Sequence, residues 1–243
     1  MDMRSLTFVV IILSLLLAAC GSTPSPVAEP SPQILPTNTT IPTSTIVPSP
    51  TPDPLIFKDD FNDMLDSSWE WGKENKKLWN LTNHPGWLEI TVGSGSVFSK
   101  NLLQRPIPEV DFELETRIIF EPVKNYQIAG LIIFYNANNY ILFGRAYAAH
   151  LVGDGFYMDY VKSGKFTGGN FATAAPGTDT IYLRLSRRGN LYDSYYSEDG
   201  IHWEKVGQHT SDMQAKYVGL AAGQSTKDTV PAQFDYFIIN EIY

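Results

Sequence analysis

From Leu55 to Tyr243 the chain has no convincing stretch of apolar residues at helical spacing; its apolar residues alternate, or run in short blocks between turn signals. In VDFELETRIIF, which begins at Val110, apolar and charged residues take turns, as a strand with one wet face requires. IAGLIIFY and NYILFGRAYA are apolar on both faces or nearly so, which fits central strands. The stretch between them, Asn136 to Asn139, is hairpin chemistry, because Asn tolerates left-handed backbone conformations. A second hairpin joins TIYLRLS to LYDSYYS through Arg187 to Asn190, and a third turns at Glu198 to Gly200 into IHWEKVG. Late strands follow at KYVGLAAG and QFDYFIIN. Roughly a dozen such strands without helices predict an all-β fold, a two-sheet antiparallel sandwich of jelly-roll type.

The start of the chain is of another kind. Arg4 is followed by the apolar run FVVIILSLLLAA, shorter than the roughly 20 residues a spanning helix needs, and the run ends at Cys20, the one cysteine. Leu17, Ala18, Ala19 and Cys20 resemble the lipobox of bacterial lipoproteins, in which the cysteine thiol takes a diacylglycerol and becomes the new N-terminus. Residues 1–19 are thus expected to be a lipoprotein signal peptide, with the mature chain lipid-anchored in the cell envelope and exposed outside the cytoplasm. Gly21 to Pro54 lacks aromatics and repeats proline every few residues. Such a stretch cannot bury enough apolar surface to fold, and proline biases it toward an extended form of about 3.1 Å per residue. Residues 20–54 therefore read as the lipidated cysteine and a Pro/Ser/Thr-rich tether, and residues 55–243 as one β domain. With its only cysteine used for the anchor, that domain has neither a disulfide nor a cysteine-based site. A formal charge of −8 with a pI near 5.0 argues against nucleic acid as a partner.

Several segments of the β domain resemble, in order and spacing, the concanavalin-A-like domain found C-terminal to the catalytic propeller in family 43 glycosyl hydrolases, the β-xylosidase group. The landmarks are FKDDFN, LDSSWEW, LWNLTNHPGWLEI, LLQRP, VDFELETRIIF, AGLIIFYNANNYILF and YYSEDGIHWEKVG, and together they span about Phe57 to Asn240. In those enzymes the resembling domain is an accessory beside the active site. The tether directly upstream of Leu55 cannot be the propeller, so xylosidase activity is not expected to carry over.

The same jelly roll serves family 16 glucanases, which makes the acids of VDFELET the candidates for catalysis by the sandwich itself. Asp111, Glu113 and Glu115 fall on one strand face, about 6 to 7 Å between neighbours. They lack that family's pattern, and Phe112 and Leu114 alone account for the alternation, so they read as a solvated face. His84, His150, His202 and His209 are scattered without ligand spacing and read as surface or turn residues. SEDGIHW, from Ser197, looks like a shortened Asp-box hairpin, with Asp199 binding turn amides, Gly200 at positive φ and Trp203 covering the hairpin base. FKDDFN and QFDYF resemble the end strands of family 16 glucanases, which implies a structural calcium ion held by Asp60 and Asp235 where the first and last strands meet; no organic cofactor is implied.

The 13 Tyr, 13 Phe and 5 Trp supply faces on which sugar rings stack, with interleaved Asn, Asp and Arg for the hydroxyls. The candidates for contact with a polysaccharide or other glycan are Trp71, Trp79, Tyr135, Arg145, Tyr147 and Tyr157, with Arg145 expected to share the concave sheet face with Tyr147. The resulting expectation is a carbohydrate-binding-type module, membrane-anchored and surface-displayed, without its own hydrolase activity. The alternatives are a glycoside hydrolase on the same fold and a structural or protein-interaction domain of the cell envelope.

Overall fold

The computed structural model describes residues 54–243 apart from 170 and 224–227. The signal peptide, Cys20 and the tether lie outside the described residues.

Among the described residues there is no helix, and 16 strands form two antiparallel sheets. The first sheet runs β14 (Glu204–Thr210), β13 (Leu191–Ser197), β12 (Thr180–Arg188), β6 (Phe112–Ile119), β16 (Val230–Glu241), β4 (Leu88–Val92), β3 (Trp79–Asn80). The second runs β10 (Lys165–Phe166), β9 (Gly153–Lys162), β8 (Asn139–Ala148), β7 (Ile128–Asn136), β15 (Tyr217–Gly223), β5 (Leu102–Pro106), β2 (Glu70–Gly72), and β11 (Phe171–Ala174) also pairs with β9. The sixteen strands exceed the expected dozen because two- and three-residue edge strands carry no periodicity to detect. The first strand, β1 (Leu55–Asp59), pairs with the last, β16, as the end motifs implied. β16 pairs with β4 through Val230 to Phe234, then bulges and pairs with β1 through Phe237 to Asn240.

Period-2 alternation explains what lies between the sheets. Ala129, Leu131 and Ile133 of β7, Ile141 and Phe143 of β8, and Phe156, Met158 and Tyr160 of β9 point inward. They meet Leu114 and Ile118 of β6, Ile181, Leu183 and Leu185 of β12, and Phe234, Phe237 and Ile239 of β16. The intervening residues form a second apolar cluster on the outward face of the second sheet, including Ile128, Ile132, Leu142, Ala146, Tyr157 and Ala221. This is why IAGLIIFY and NYILFGRAYA read as apolar on both faces.

The Asn136 to Asn139 hairpin forms as read, with Asn136 Oδ1 accepting from the Asn138 amide at 2.9 Å. The Asp-box hairpin does too: Asp199 Oδ1 accepts from the Ile201 and His202 amides, both at 2.8 Å, and Gly200 has φ 75°. Because that turn occupies residues up to Trp203, β14 starts at Glu204 rather than at Ile201. Trp203 lies against the Arg184 guanidinium, 3.8 Å from ring centre to Cζ. His209 departs from the surface reading: it is buried between Tyr160 and Phe171, and burial lowers its pKa.

At the sandwich edge, Asp59 joins β1 to the following loop. Its carboxylate accepts from the Phe61 amide (2.9 Å), the Asp66 amide (2.9 Å) and Trp69 Nε1 (2.8 Å), and Trp69 in turn packs edge-on against Phe237 at 5.0 Å. Removing the carboxylate leaves three donors without partners where little water can reach. Asp59→Ala is expected to lower stability by about 3 kcal/mol or more, read as a fall in the urea midpoint; a change of less than about 1 kcal/mol would show that the donors find other partners.

Candidate functional site

The outward face of the second sheet is filled at one end and open at the other. Phe98, Phe134, Tyr140 and Tyr217 close the first end, with ring centroids 5.1 to 5.4 Å apart. In mid-face Gly130 and Gly144 are register partners, and a Cβ on either would collide with the neighbouring strand's backbone, at the Phe143 and Ala129 carbonyl oxygens respectively. Only glycine allows the strands to approach there, and no side chain rises above the sheet at these two positions.

Beyond these glycines lies a cavity of about 230 Å³. Ile128, Ala146 and Ala148 make its apolar floor, Tyr157 and Asp159 project from β9, and Phe171 of β11 flanks them. Tyr126, Tyr147, His150, Leu151 and Phe166 form the remaining wall and rim. Tyr157 is fixed by its hydroxyl, which donates to the Gly153 carbonyl at 2.7 Å, and burial raises its pKa.

Two rim aromatics are presented to solvent, Tyr126 at 59% exposure and Phe166 at 66%. Tyr126 is held in the left-handed region at φ 72°, a conformation a bulky side chain rarely adopts unless its surroundings impose it. The surroundings do so here. Gln127 is fully buried and its Oε1 accepts from the Val123 and Lys124 amides at 2.7 and 2.9 Å. Asn125 Oδ1 accepts from the Ala149 amide at 2.7 Å, and the Tyr126 amide donates to the Tyr147 carbonyl at 2.9 Å.

Asp159 is the one carboxyl among the described residues lining the cavity. It is half-buried opposite Leu142, and among the described residues no hydrogen bond or ion pair engages it. Burial pushes its pKa up to about 6.

Of the sequence-derived candidates, Tyr147 and Tyr157 meet in this cavity and the others do not. Arg145 was expected beside Tyr147 as a glycan contact on the concave face. Alternation does put the two on one side of β8, but the Arg145 guanidinium is buried and taken up by Asp154 at 2.9 and 2.6 Å and by the Thr178 carbonyl at 2.9 Å, so it does not line the cavity. Tyr135 lies near the end of β7, beside the start of β8, roughly 25 Å from Tyr147 at about 3.3 Å per residue. There it lines a separate hollow with Asn139, Lys162 and Lys216. Trp71 and Trp79 pack on each other, centroids 4.8 Å apart, across the edges of the two sheets and against the core. Tyr126, Asp159, Phe166 and Phe171 were missed, since their separation in sequence hides their convergence.

Asp111, Glu113 and Glu115 are less solvated than expected. Arg184 Nε lies 3.1 Å from Glu113 and 2.8 Å from Glu115, Tyr236 donates to Glu115 at 2.6 Å, and Asp111 accepts from the Gly189 amide at 2.8 Å. Burial raises the Glu113 pKa. Asp60 and Asp235 each lie beside a cation, Lys58 at 2.8 Å and Arg117 at 3.1 Å.

Comparison with known proteins adds a family to this geometry. The family described as the β-xylosidase C-terminal concanavalin-A-like domain matches residues 58–240. The chain is similar to a xylan 1,3-β-xylosidase of a Vibrio species, 24% identical over 185 residues that cover 67% of this chain and 33% of that one. It is also similar to a β-xylosidase of Bacillus subtilis, 24% identical over 187 residues, covering 68% and 34%. The chain thus spans about a third of the length of these curated relatives. Among solved structures, a family 43 protein of Bacillus licheniformis superposes with a TM-score of 0.69 at 22% identity, over 76% of this chain and 39% of that one. A Saccharomyces cerevisiae protein of unknown function shares the fold over 98% of its own length and 73% of this chain, with a TM-score of 0.55 at 12% identity.

The raised pKa of Asp159 links stability to pH. The folded carboxyl holds its proton more tightly than the unfolded one, so the contribution of this group to stability is greatest in acid and is lost as pH rises between about 4 and about 6. Asp159→Asn removes this loss. It should match the wild type near pH 4 and exceed it at pH 7.5 by up to about 3 kcal/mol in urea unfolding. A difference that stays constant from pH 4 to 8 would refute the buried charge.

Proposed function

The chain belongs to the β-xylosidase C-terminal concanavalin-A-like domain family, and on that footing we propose that its β domain is a carbohydrate-binding module, carried in the cell envelope on lipidated Cys20 and without hydrolase activity of its own. The observation that carries the reading is the cavity on the outward face of the second sheet. Its walls combine Tyr126, Tyr147, Phe166 and Phe171 with one unengaged carboxyl. Aromatic faces receive the C–H faces of sugar rings while a few polar groups receive hydroxyls. The relatives, a xylan 1,3-β-xylosidase and a β-xylosidase, make a xylan-type chain the first glycan to try.

The carboxyl count at that cavity supports the non-hydrolytic reading. A retaining glycosidase needs two carboxyl groups about 5 to 5.5 Å apart and an inverting one needs two at about 6.5 to 9.5 Å. The described lining supplies Asp159 alone. The acids of VDFELET belong to the other sheet, where Arg184 and Tyr236 engage Glu113 and Glu115.

A shallow site of this size buries little ligand surface, so affinity is expected in the micromolar to millimolar range. Residues 55–243 should be retarded in a native gel containing xylan. Tyr126→Ala and Phe166→Ala, both at exposed rim positions, should each abolish retardation with the melting temperature nearly unchanged. Absence of wild-type retardation on xylan, arabinan, β-glucan and peptidoglycan would remove the glycan reading, and release of reducing sugar from any of them would remove the non-hydrolytic one.

Anchoring rests on the Leu17 to Cys20 motif and on the need for more than one acyl chain for stable membrane attachment. Cys20→Ser in the full chain is expected to move the protein from the membrane fraction to the soluble fraction or the medium. Equal membrane retention of the variant would refute the lipid anchor.

A further inference from the structure

We infer that Asp159 sets the specificity of the cavity: it admits the neutral end of a glycan, whose adjacent hydroxyls both donate to the carboxylate, and turns away chains that end in a uronate. This deepens the glycan reading of the cavity and rests on it.

The argument begins with how the domain treats its other sheltered carboxylates. Asp59 receives three donors. Glu89 accepts from Asn80, Asn83 and Gln233 at 3.3, 2.7 and 2.9 Å. Glu115 has Arg184 and Tyr236, and Asp154 has Arg145. Asp159 is half-buried like these, yet among the described residues no donor reaches it. Its neighbours explain why. Leu142 lies across from it on β8, Tyr157 and Val161 share its face of β9, and the Tyr157 hydroxyl is turned away to Gly153. The nearest guanidinium in sequence, Arg145, faces inward and is engaged by Asp154 and Thr178. A sheltered polar group without a partner is uncommon in a folded protein, and here the group lines an open cavity.

An ionised carboxylate only accepts, and it offers two oxygens side by side. The partner must therefore bring two donors at matching spacing, and it must tolerate aromatic and aliphatic walls. A vicinal diol on a sugar ring meets both demands, its hydroxyls toward Asp159 and its C–H face toward Tyr126, Tyr147 or Phe166. The volume, about 230 Å³, falls below the roughly 300 to 1,000 Å³ of sites that enclose drug-sized ligands, so one ring enters and the rest of the chain stays in solvent.

Charge decides between ring types. A uronate would bring a second anion beside Asp159 in an apolar lining, and like charges that close are strongly unfavourable. Among the described residues no Lys or Arg lines the cavity to offset them; the titratable groups facing Asp159 are Tyr126, Tyr147, His150 and Tyr157. The chain as a whole carries a formal charge of −8, which adds to the exclusion at low salt.

The test is calorimetric titration of residues 55–243 at pH 7.5 with neutral hexasaccharides (xylohexaose, arabinohexaose and laminarihexaose) and with xylo-oligosaccharides bearing a glucuronate at the non-reducing end. The wild type is expected to bind at least one neutral probe and to bind the uronate-capped probe at least tenfold more weakly. Asp159→Asn should lose about tenfold or more on the neutral probe and bring the two probes to within about threefold of each other, and Asp159→Glu should keep the wild-type order. Neutral binding should strengthen between pH 5 and 7.5 in the wild type and stay level in Asp159→Asn. Neutral binding with an unchanged probe ratio in Asp159→Asn overturns the role of Asp159 and leaves the glycan reading standing. No binding to any probe by the wild type overturns both. Thermal melts of each variant at pH 7.5 separate loss of the carboxylate from loss of the fold.

Discussion

The alternation of side chains along three adjacent strands governs both the core and the site. Once Leu131, Phe143 and Met158 face the first sheet, Ile132, Leu142 and Asp159 must face the other way. A slip of one residue in β7, β8 or β9 would exchange the two faces of that strand, and a slip of β9 would place Asp159 in the core. The penalty for burying that charge there makes the register strongly specified. The same constraint explains the mid-face glycines, since Gly130 and Gly144 are paired where a Cβ would strike the neighbouring strand.

The two outward faces solve the problem of exposure differently. On the first sheet, Glu113 and Glu115 both engage Arg184, which Trp203 covers, so opposite charges are paired within the face. On the second sheet the outward residues are largely apolar, packed by their own aromatics at one end and left open at the other. An apolar hollow with one unengaged carboxyl is suited to receive a partly apolar, multiply hydroxylated ring, and a face of paired charges is suited to water. The loop before β7 reinforces the difference, because Gln127 and Asn125 bind enough backbone amides to hold Tyr126 outward at a positive φ.

Much of this was legible from residue order. VDFELETRIIF showed a strand wet on one side, and IAGLIIFY and NYILFGRAYA showed strands apolar on both, because strand periodicity is local. SEDGIHW showed its turn, because Asp199 acts on amides two and three residues away. Tyr147 and Tyr157 were found because they lie in or beside that doubly apolar block. Arg145 was misplaced because its role depends on Asp154 and on the carbonyl of Thr178, 33 residues further on, which no local pattern reveals. Tyr135 was grouped with Tyr147 by nearness in sequence, whereas an extended strand sets them at opposite ends of the sheet.

By itself, then, the sequence determined the class of fold and the strands at its centre, since these rest on alternation and on turn chemistry acting over a few residues, and the order of its motifs carried the resemblance to its family. The tertiary structure alone decided the site. Tyr126, Tyr147, Tyr157, Asp159, Phe166 and Phe171 come from one loop and four strands, and strand pairing brings them around one cavity at one end of the second sheet. Whether a carboxylate finds a partner is likewise a matter of which strands become neighbours: Glu115 met Arg184 across a strand pair, and Asp159 met Leu142.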